Sequence, residues 1–345
     1  MNAKREEWLD YTKGLACFLV VLCHVLRGLI NSDILIKNSF LEKFDFTIYL
    51  FHMPLFFMVS GYFYKRNTEI KRIREYRVFV KKKIINLGVP YGVFSVVYIF
   101  LNMITSNTNQ SLNWLNLINI YKIPVAHFWF LYTLLVIFII IPILEKILKK
   151  EQTLLIVLFI IKILLSVLNI PIFFISSFAE YAFYFYLGFY LINLIKNGKV
   201  FKRKICKVLL LLVFITISLV LYEYQEVINK SMFSILKTLM AIYGAYITLM
   251  LLVGIKNYKI LNILGEFSFQ IYIMHTIFAA AIRVLLLKIG VMNGFIHFTF
   301  GMIAGVGVSI IVAMISNKII ITNLVIYPLK TIKELKSKRN YNQEI

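Results

Sequence analysis

Long apolar runs, several of them 16 to 24 residues with almost no charge, constrain this chain more than any other feature. A helix needs about 20 such residues to cross the hydrocarbon core of a bilayer. No water reaches the backbone there, so each run must close its own hydrogen bonds as a helix. The runs fall at 14–32, 47–64, 84–104, 126–145, 152–168, 172–195, 206–222, 233–254, 263–286 and 294–317. Composition agrees: 60% of the 345 residues are hydrophobic and 16% are charged. Soluble domains run at about half apolar and about a quarter charged. The first run follows a charged stretch and reads as a true span, not as a cleavable signal. The expected fold is all-α: a polytopic transmembrane helix bundle of about ten spans. It forms one integral-membrane domain over 1–345, with a basic tail from about 328.

The formal net charge of +22 is distributed by side of the membrane. With the N-terminus inside, 29 of the 38 Lys and Arg fall in cytoplasmic segments and eight fall on the outer side; Lys162 sits within a span. Such an excess marks cytoplasmic loops facing anionic headgroups. It predicts an N-in, C-in protein of the cytoplasmic membrane, with membrane lipids and no nucleic acid among its partners. The three cysteines, Cys17, Cys23 and Cys206, have neither metal spacing nor a paired pattern, so no metal is expected.

Ionisable residues inside spans are costly and usually face a cavity or a partner. Lys13 and His24 are eleven positions apart. On a helix this returns to within about 20° of the same face after a rise of about 16 Å. Asp10 falls near that stripe if the helix starts early enough. In the bland reading Lys13 snorkels to headgroups and His24 bonds a neighbouring helix. In the chemical reading His24 is a base. His52 is placed at the opening of span two, near the outer end and at a depth close to His24. Imidazole suits proton transfer near neutral pH. Ser60-Gly61 read as a close-packing pair.

The segment 65–83 reads as a loop with nine basic residues. Arg74 and Arg77 would share one face of a helical turn, and arginine forks suit phosphates. A phosphate-bearing donor such as an acyl-CoA fits this segment, as does a solvated lipid-facing charge run. A short turn joins spans five and six, bringing Lys162 and Glu180 to comparable depth as an expected ion pair. That pair reads as structural, or alternatively as placing a carboxylate for chemistry. His127 and Trp129 open span four, and Tyr272 and His275 lie in span nine.

Four blocks together resemble the integral-membrane acyltransferase family 3, which includes fucose 4-O-acetylase-like and other glycan O-acetyltransferases. They are Arg5 through Gly14 with Val20–His24, similar to the family's Arg/Lys-x10-His signature; Phe51–Phe57 with Ser60-Gly61-Tyr62; His127–Leu131; and Gly265-x-x-Ser268 with Ile271-Tyr272 and His275. The family often has arginine where this chain has Lys13. The family's Arg-x-x-Arg site corresponds either to Arg74–Arg77 or to Lys81, Lys82 and Lys83, nearer the Pro90-Tyr91 landmark. The resemblance implies an acyl-CoA donor, usually acetyl-CoA, and an acceptor hydroxyl on a glycan or lipid-linked saccharide. It also implies a catalytic role at His24 and a functional role at Lys13.

The expected catalytic set is thus His24, Lys13, His52 and Asp10. Arg74, Arg77, Lys81, Lys82 and Lys83 are expected at the donor, and His127, Trp129, Glu180, Tyr272 and His275 at the acceptor. His24 would deprotonate the sugar hydroxyl or carry the acyl group transiently. Some relatives carry a fused extracytoplasmic domain that completes transfer. This chain shows none, so it is expected to deliver the acyl group itself or pass it to glycan-assembly proteins. The competing readings are a glycan exporter or flippase, and a glycan polymerase; no inverted repeat is visible to support transport.

Overall fold

Short polar side chains decide where the helices begin. The Asn38, Asn229 and Asn293 side chains accept backbone N–H bonds from Leu41, Met232 and Ile296 at 2.9–3.1 Å. These bonds satisfy amides that the first helical turn leaves open. They start α2 (Ser39–Asn67), α10 (Lys230–Leu252) and α13 (Gly294–Ile303). The computed structural model describes residues 6–104, 112–168, 170–197, 204–316 and 318–341. Among them, ten helical runs are long and apolar enough to cross a membrane, as the hydropathy pattern requires.

The chain divides into two compact units. Unit one comprises Met1–Glu69 and Leu144–Ser268. It holds α1 (Glu7–Ile30), α2, α7 (Glu151–Leu168), α8 (Phe173–Asn197), α9 (Lys204–Glu223), α10 and the short α11 (Lys259–Glu266). Two close crossings organise it. Gly61 of α2 meets the Phe185 carbonyl of α8, while Gly188 of α8 meets the Met58 carbonyl of α2. Gly14 of α1 lies against Leu261 and Gly265, and Gly265 lies against the Asp10 carbonyl. Glycines let helix backbones approach where lipid supplies no hydrophobic drive between helices. Leu50, Phe214, Leu221, Met240 and Ile247 form a buried cluster across α2, α9 and α10. The outer faces of α7 and α9 expose Ile156, Ile160, Leu164, Val208, Leu212 and Val220. So broad an apolar face would be a liability in water and is the proper surface against acyl chains.

Unit two comprises Ile70–Ile143 and Phe269–Ile345. It holds α3 (Ile73–Lys83), α4 (Val89–Ile104), α5 (Trp114–Asn119), most of α6 (Trp129–Leu148) and of α12 (Ser268–Lys288), then α13, α14 (Ser309–Ser316), α15 (Ile320–Ile326) and α16 (Pro328–Tyr341). Pro142 sits within α6. Proline removes one helical hydrogen bond and disturbs the turn before it. The Tyr76 hydroxyl of α3 donates to the Ile139 carbonyl in that turn at 3.1 Å.

Three sequence expectations need correction. The segment 65–83 is not a loop throughout: α3 runs through a π-helical turn (Ile84–Gly88) into α4, so Ile73–Ile104 is one helical run. Glu75 makes this possible, its carboxylate accepting the Lys71 and Arg72 N–H groups at 2.7 and 3.1 Å. Span nine is broken at Phe267, and α11 leaves it to pack on α1. His52 does not open span two but lies mid-helix, because Asn38 starts α2 at Ser39.

Candidate functional site

α1 places Lys13, His24 and Arg27 along its length, and α2 places Asp45, Tyr49 and His52 at spacings of four and three on one face. Arg27 donates from Nε at 2.9 Å and Nη2 at 2.7 Å to the two carboxylate oxygens of Asp45. This two-pronged bond ties α1 to α2. The Arg27 guanidinium also lies 4.3 Å from the Tyr49 ring centre, and Tyr49 meets the His52 ring edge-on at 4.9 Å. His24 interacts electrostatically with Arg27, Asp45 and His52. Both histidines, with an arginine, a carboxylate and a tyrosine, therefore share one locality in unit one.

The two rings are oriented alike. His24 Nδ1 lies 2.8 Å from the Val20 carbonyl, and His52 Nδ1 lies 2.8 Å from the Ile48 carbonyl. A carbonyl only accepts, so both rings carry the proton on Nδ1 and the lone pair on Nε2. His52 is fully buried, and its Nε2 meets no hydrogen-bond partner among the described residues. A buried acceptor without a donor costs roughly 1–3 kcal/mol, which a ligand hydroxyl would recover.

The other expected residues fall into separate groups. Asp10 lies 2.6 Å from Lys13 as an ion pair. It is about 21 Å along the helix from His24. The carboxylate beside His24 is Asp45. Arg27, Asp45 and Tyr49 were not foreseen as site residues. The signal for them was present in the one-face spacing of Asp45, Tyr49 and His52. Near Lys13, Glu6 receives Tyr62 at 3.0 Å, Arg66 at 3.2 Å and Lys196 at 2.5 Å, pinning the start of α1 to α2 and α8.

In unit two, Arg74, Arg77 and Lys81 line one exposed face of α3, with Lys82 exposed beside them. Lys83 is set apart from that stripe: its ammonium lies 3.6 Å from the Phe138 ring centre. His127, Tyr272 and His275 come together, the His127 and His275 rings 4.8 Å apart and the Tyr272 hydroxyl bonded to the His127 carbonyl. His275 Nδ1 faces the Ile271 and Tyr272 carbonyls at 3.0 and 2.8 Å, so its lone pair too is on Nε2. Trp129 joins through Phe130, which packs on both Trp129 and Tyr272.

Back in unit one, Lys162 Nζ lies 2.6 Å from Glu180 Oε2, as the hairpin depth predicted, and Lys237 approaches Oε1 at 3.6 Å. The Lys162 side chain is fully enclosed. Glu180→Gln is expected to lower stability by about 3–5 kcal/mol, since it strands a buried ammonium. Lys162→Met combined with Glu180→Gln is expected to recover most of that loss. Thermal melts in detergent of wild type, Lys162→Met, Glu180→Gln and the double variant check this cycle, and equal melting of Glu180→Gln and the double variant would contradict it.

Among the described residues, no group of three or more His, Cys, Asp or Glu side chains is disposed to hold a metal ion. A family model described as an acyltransferase domain matches residues 6–314. A 60-residue stretch is 43% identical to the nodulation protein NolL of Sinorhizobium fredii (strain NBRC 101917 / NGR234). That stretch covers 17% of this chain and 15% of NolL's length. No solved structure matches significantly.

Proposed function

Because this chain belongs to the integral-membrane acyltransferase family 3, a family of multi-pass membrane proteins, we propose that it moves an acyl group from acyl-CoA to a hydroxyl of a cell-surface or lipid-linked glycan. Acetyl-CoA is the simplest donor. The reading rests above all on one observation: His24 Nδ1 lies 2.8 Å from the Val20 carbonyl, which leaves the ring's lone pair on Nε2 within the membrane-spanning region.

In this mechanism His24 Nε2 takes the proton of the acceptor hydroxyl as its oxygen attacks the thioester carbonyl. The C–S bond breaks, and the coenzyme thiolate leaves and regains a proton. The new ester carries the acyl group. His52 Nε2 accepts a hydrogen bond from the sugar, which would meet the need of that buried nitrogen. The Arg27–Asp45 pair holds α1 against α2 and so fixes the two rings relative to each other. Such positioning is worth as much as the base itself when reacting atoms must meet within a few tenths of an ångström.

Arg74, Arg77 and Lys81 engage the donor's phosphates, which favour planar guanidinium forks. An N-in, C-in orientation puts this face of α3 on the cytosolic side. Arg74→Ala with Arg77→Ala is expected to raise the KM for acyl-CoA about tenfold or more while the protein melts normally. Initial rates over a range of donor concentrations check it, and an unchanged KM counts against the assignment.

The test of the function is label transfer from radiolabelled acetyl-CoA to glycan in membranes whose sole added protein is this chain. New ester bonds are expected. Movement of glycan across the bilayer without ester formation would instead favour an exporter or flippase, and chain growth without it a polymerase.

A further inference from the structure

Where α7 turns into α8, unit one contains a cavity of about 250 Å³ lined by Lys162, Leu165, Ser166, Ile170, Ser176 and Glu180. The wall is chemically lopsided. Ser166 Oγ donates to the Ile163 carbonyl at 2.7 Å and Ser176 Oγ donates to the Phe173 carbonyl at 3.0 Å. With their protons committed, both hydroxyls offer the cavity lone pairs. Lys162 directs its ammonium to Glu180 Oε2 at 2.6 Å and to the Glu180 backbone carbonyl at 3.3 Å. Glu180 Oε1 has a long contact to Lys237 at 3.6 Å and therefore retains capacity to accept. Three acceptor oxygens thus face a space that Leu165 and Ile170 bound on the apolar side.

A ligand for this wall must bring several hydroxyl donors and an apolar face. An anion would meet a carboxylate and two acceptor oxygens, and the lining ammonium of Lys162 is already committed to Glu180. A hydrocarbon would leave the polar oxygens dry at a cost. A neutral sugar ring has both hydroxyls and an apolar C–H face. The volume lies below the roughly 300–1,000 Å³ of pockets that take drug-sized ligands, so it suits one ring and not a chain. A chain of contacts leads from the cavity wall toward His52. Tyr181, next to Glu180, stacks on Phe57 of α2 with ring centres 4.5 Å apart. It interacts electrostatically with both Glu180 and Tyr49. Tyr49 is the ring that contacts His52.

We propose that this cavity is a subsite for one uncharged sugar unit of the acceptor, the neighbour of the unit whose hydroxyl is acylated. The inference rests on the glycan acyltransferase reading, and it names the part of the substrate that specificity depends on. Glu180, Ser166 and Ser176 recognise ring hydroxyls, and Leu165 and Ile170 pack on the ring.

The experiment is saturation-transfer NMR on the purified full chain in detergent micelles. The probes are the methyl glycosides of glucose, galactose and mannose, with methyl glucuronide as the charged comparison. Transfer to at least one uncharged glycoside is expected from the wild-type chain. It should fall about tenfold or more in Ser166→Leu with Ser176→Leu, a loss of one or two hydrogen bonds plus the filled space. Ser176→Leu alone, checked to melt as wild type, should show a smaller fall and serves if the double variant does not fold. No transfer to any uncharged probe, an undiminished signal in the leucine variants, or a stronger signal from the glucuronide would each overturn the subsite. A sugar signal lost in the leucine variants, together with no ester formation by wild type, would leave the subsite standing and reject the acyltransferase reading.

Discussion

His24→Ala is expected to lower acyl transfer by about 10²–10⁴-fold, the usual contribution of a general base. The variant should insert and melt as wild type does. The side chain bonds its own helix through the Val20 carbonyl. The crossing of α1 with α11 depends on Gly14 and Gly265 instead, and its tie to α2 depends on Arg27 and Asp45. Structure and activity should therefore separate in this variant. The donor KM should change little, since the lost interaction forms as the proton moves. Label transfer and a thermal melt on the same preparation measure both quantities. Full glycan acylation by a well-folded His24→Ala protein would remove the histidine from the chemistry. A trapped acyl-histidine in wild type would convert the base into a nucleophile.

Gly61→Ala should damage the fold itself. A Cβ at that position would come 1.6 Å from the Phe185 carbonyl oxygen. A Cβ at Gly188 would come 2.0 Å from the Met58 carbonyl oxygen. Backbone cannot swing aside as a side chain can, so α2 and α8 must separate by more than an ångström. Every contact along that crossing loosens, including the Phe57–Tyr181 stack. Overpacking by even one methyl typically costs about 1–3 kcal/mol, and a clash with rigid backbone belongs at the top of that range. A sharply lower melting temperature in detergent is expected for Gly61→Ala and for Gly188→Ala. Gly92→Ala is the control: its added Cβ meets nothing within 4 Å. It should melt as wild type or slightly higher, because alanine suits a helix better than glycine. If Gly61→Ala melts with the control, the close approach of α2 and α8 is wrong.

The site was legible in uneven measure. His24 and Lys13 stood out because an ionisable group in an apolar run is conspicuous by itself, and the eleven-residue interval is simple helix geometry. The Lys162–Glu180 pair was legible because a short turn between two spans fixes relative depth. Arg27 and Asp45 were not, since each lies near a span end, where a lone charge looks like an ordinary interfacial residue. Only the approach of α1 to α2 turns them into a pair. The basic stripe of α3 was half legible. The sequence presented Arg74, Arg77 and Lys81–Lys83 as equals, whereas the packing of α3 on α6 sends Lys83 to the Phe138 ring and leaves the others exposed.

Hydropathy sums over some twenty residues and needs no neighbour to be evaluated, so the number of spans and the all-helical class were determined by sequence alone. The same holds for Gly61, foreseen as a close-packing position. Helix ends, the break at Phe267, the acceptor-lined cavity and the joining of Arg27, Asp45 and Tyr49 beside the histidines depend on which surfaces touch. Those are sums over residues far apart in the chain, where a caps, carbonyls and ring faces supply energies of a few kcal/mol each, and tertiary structure alone decided them.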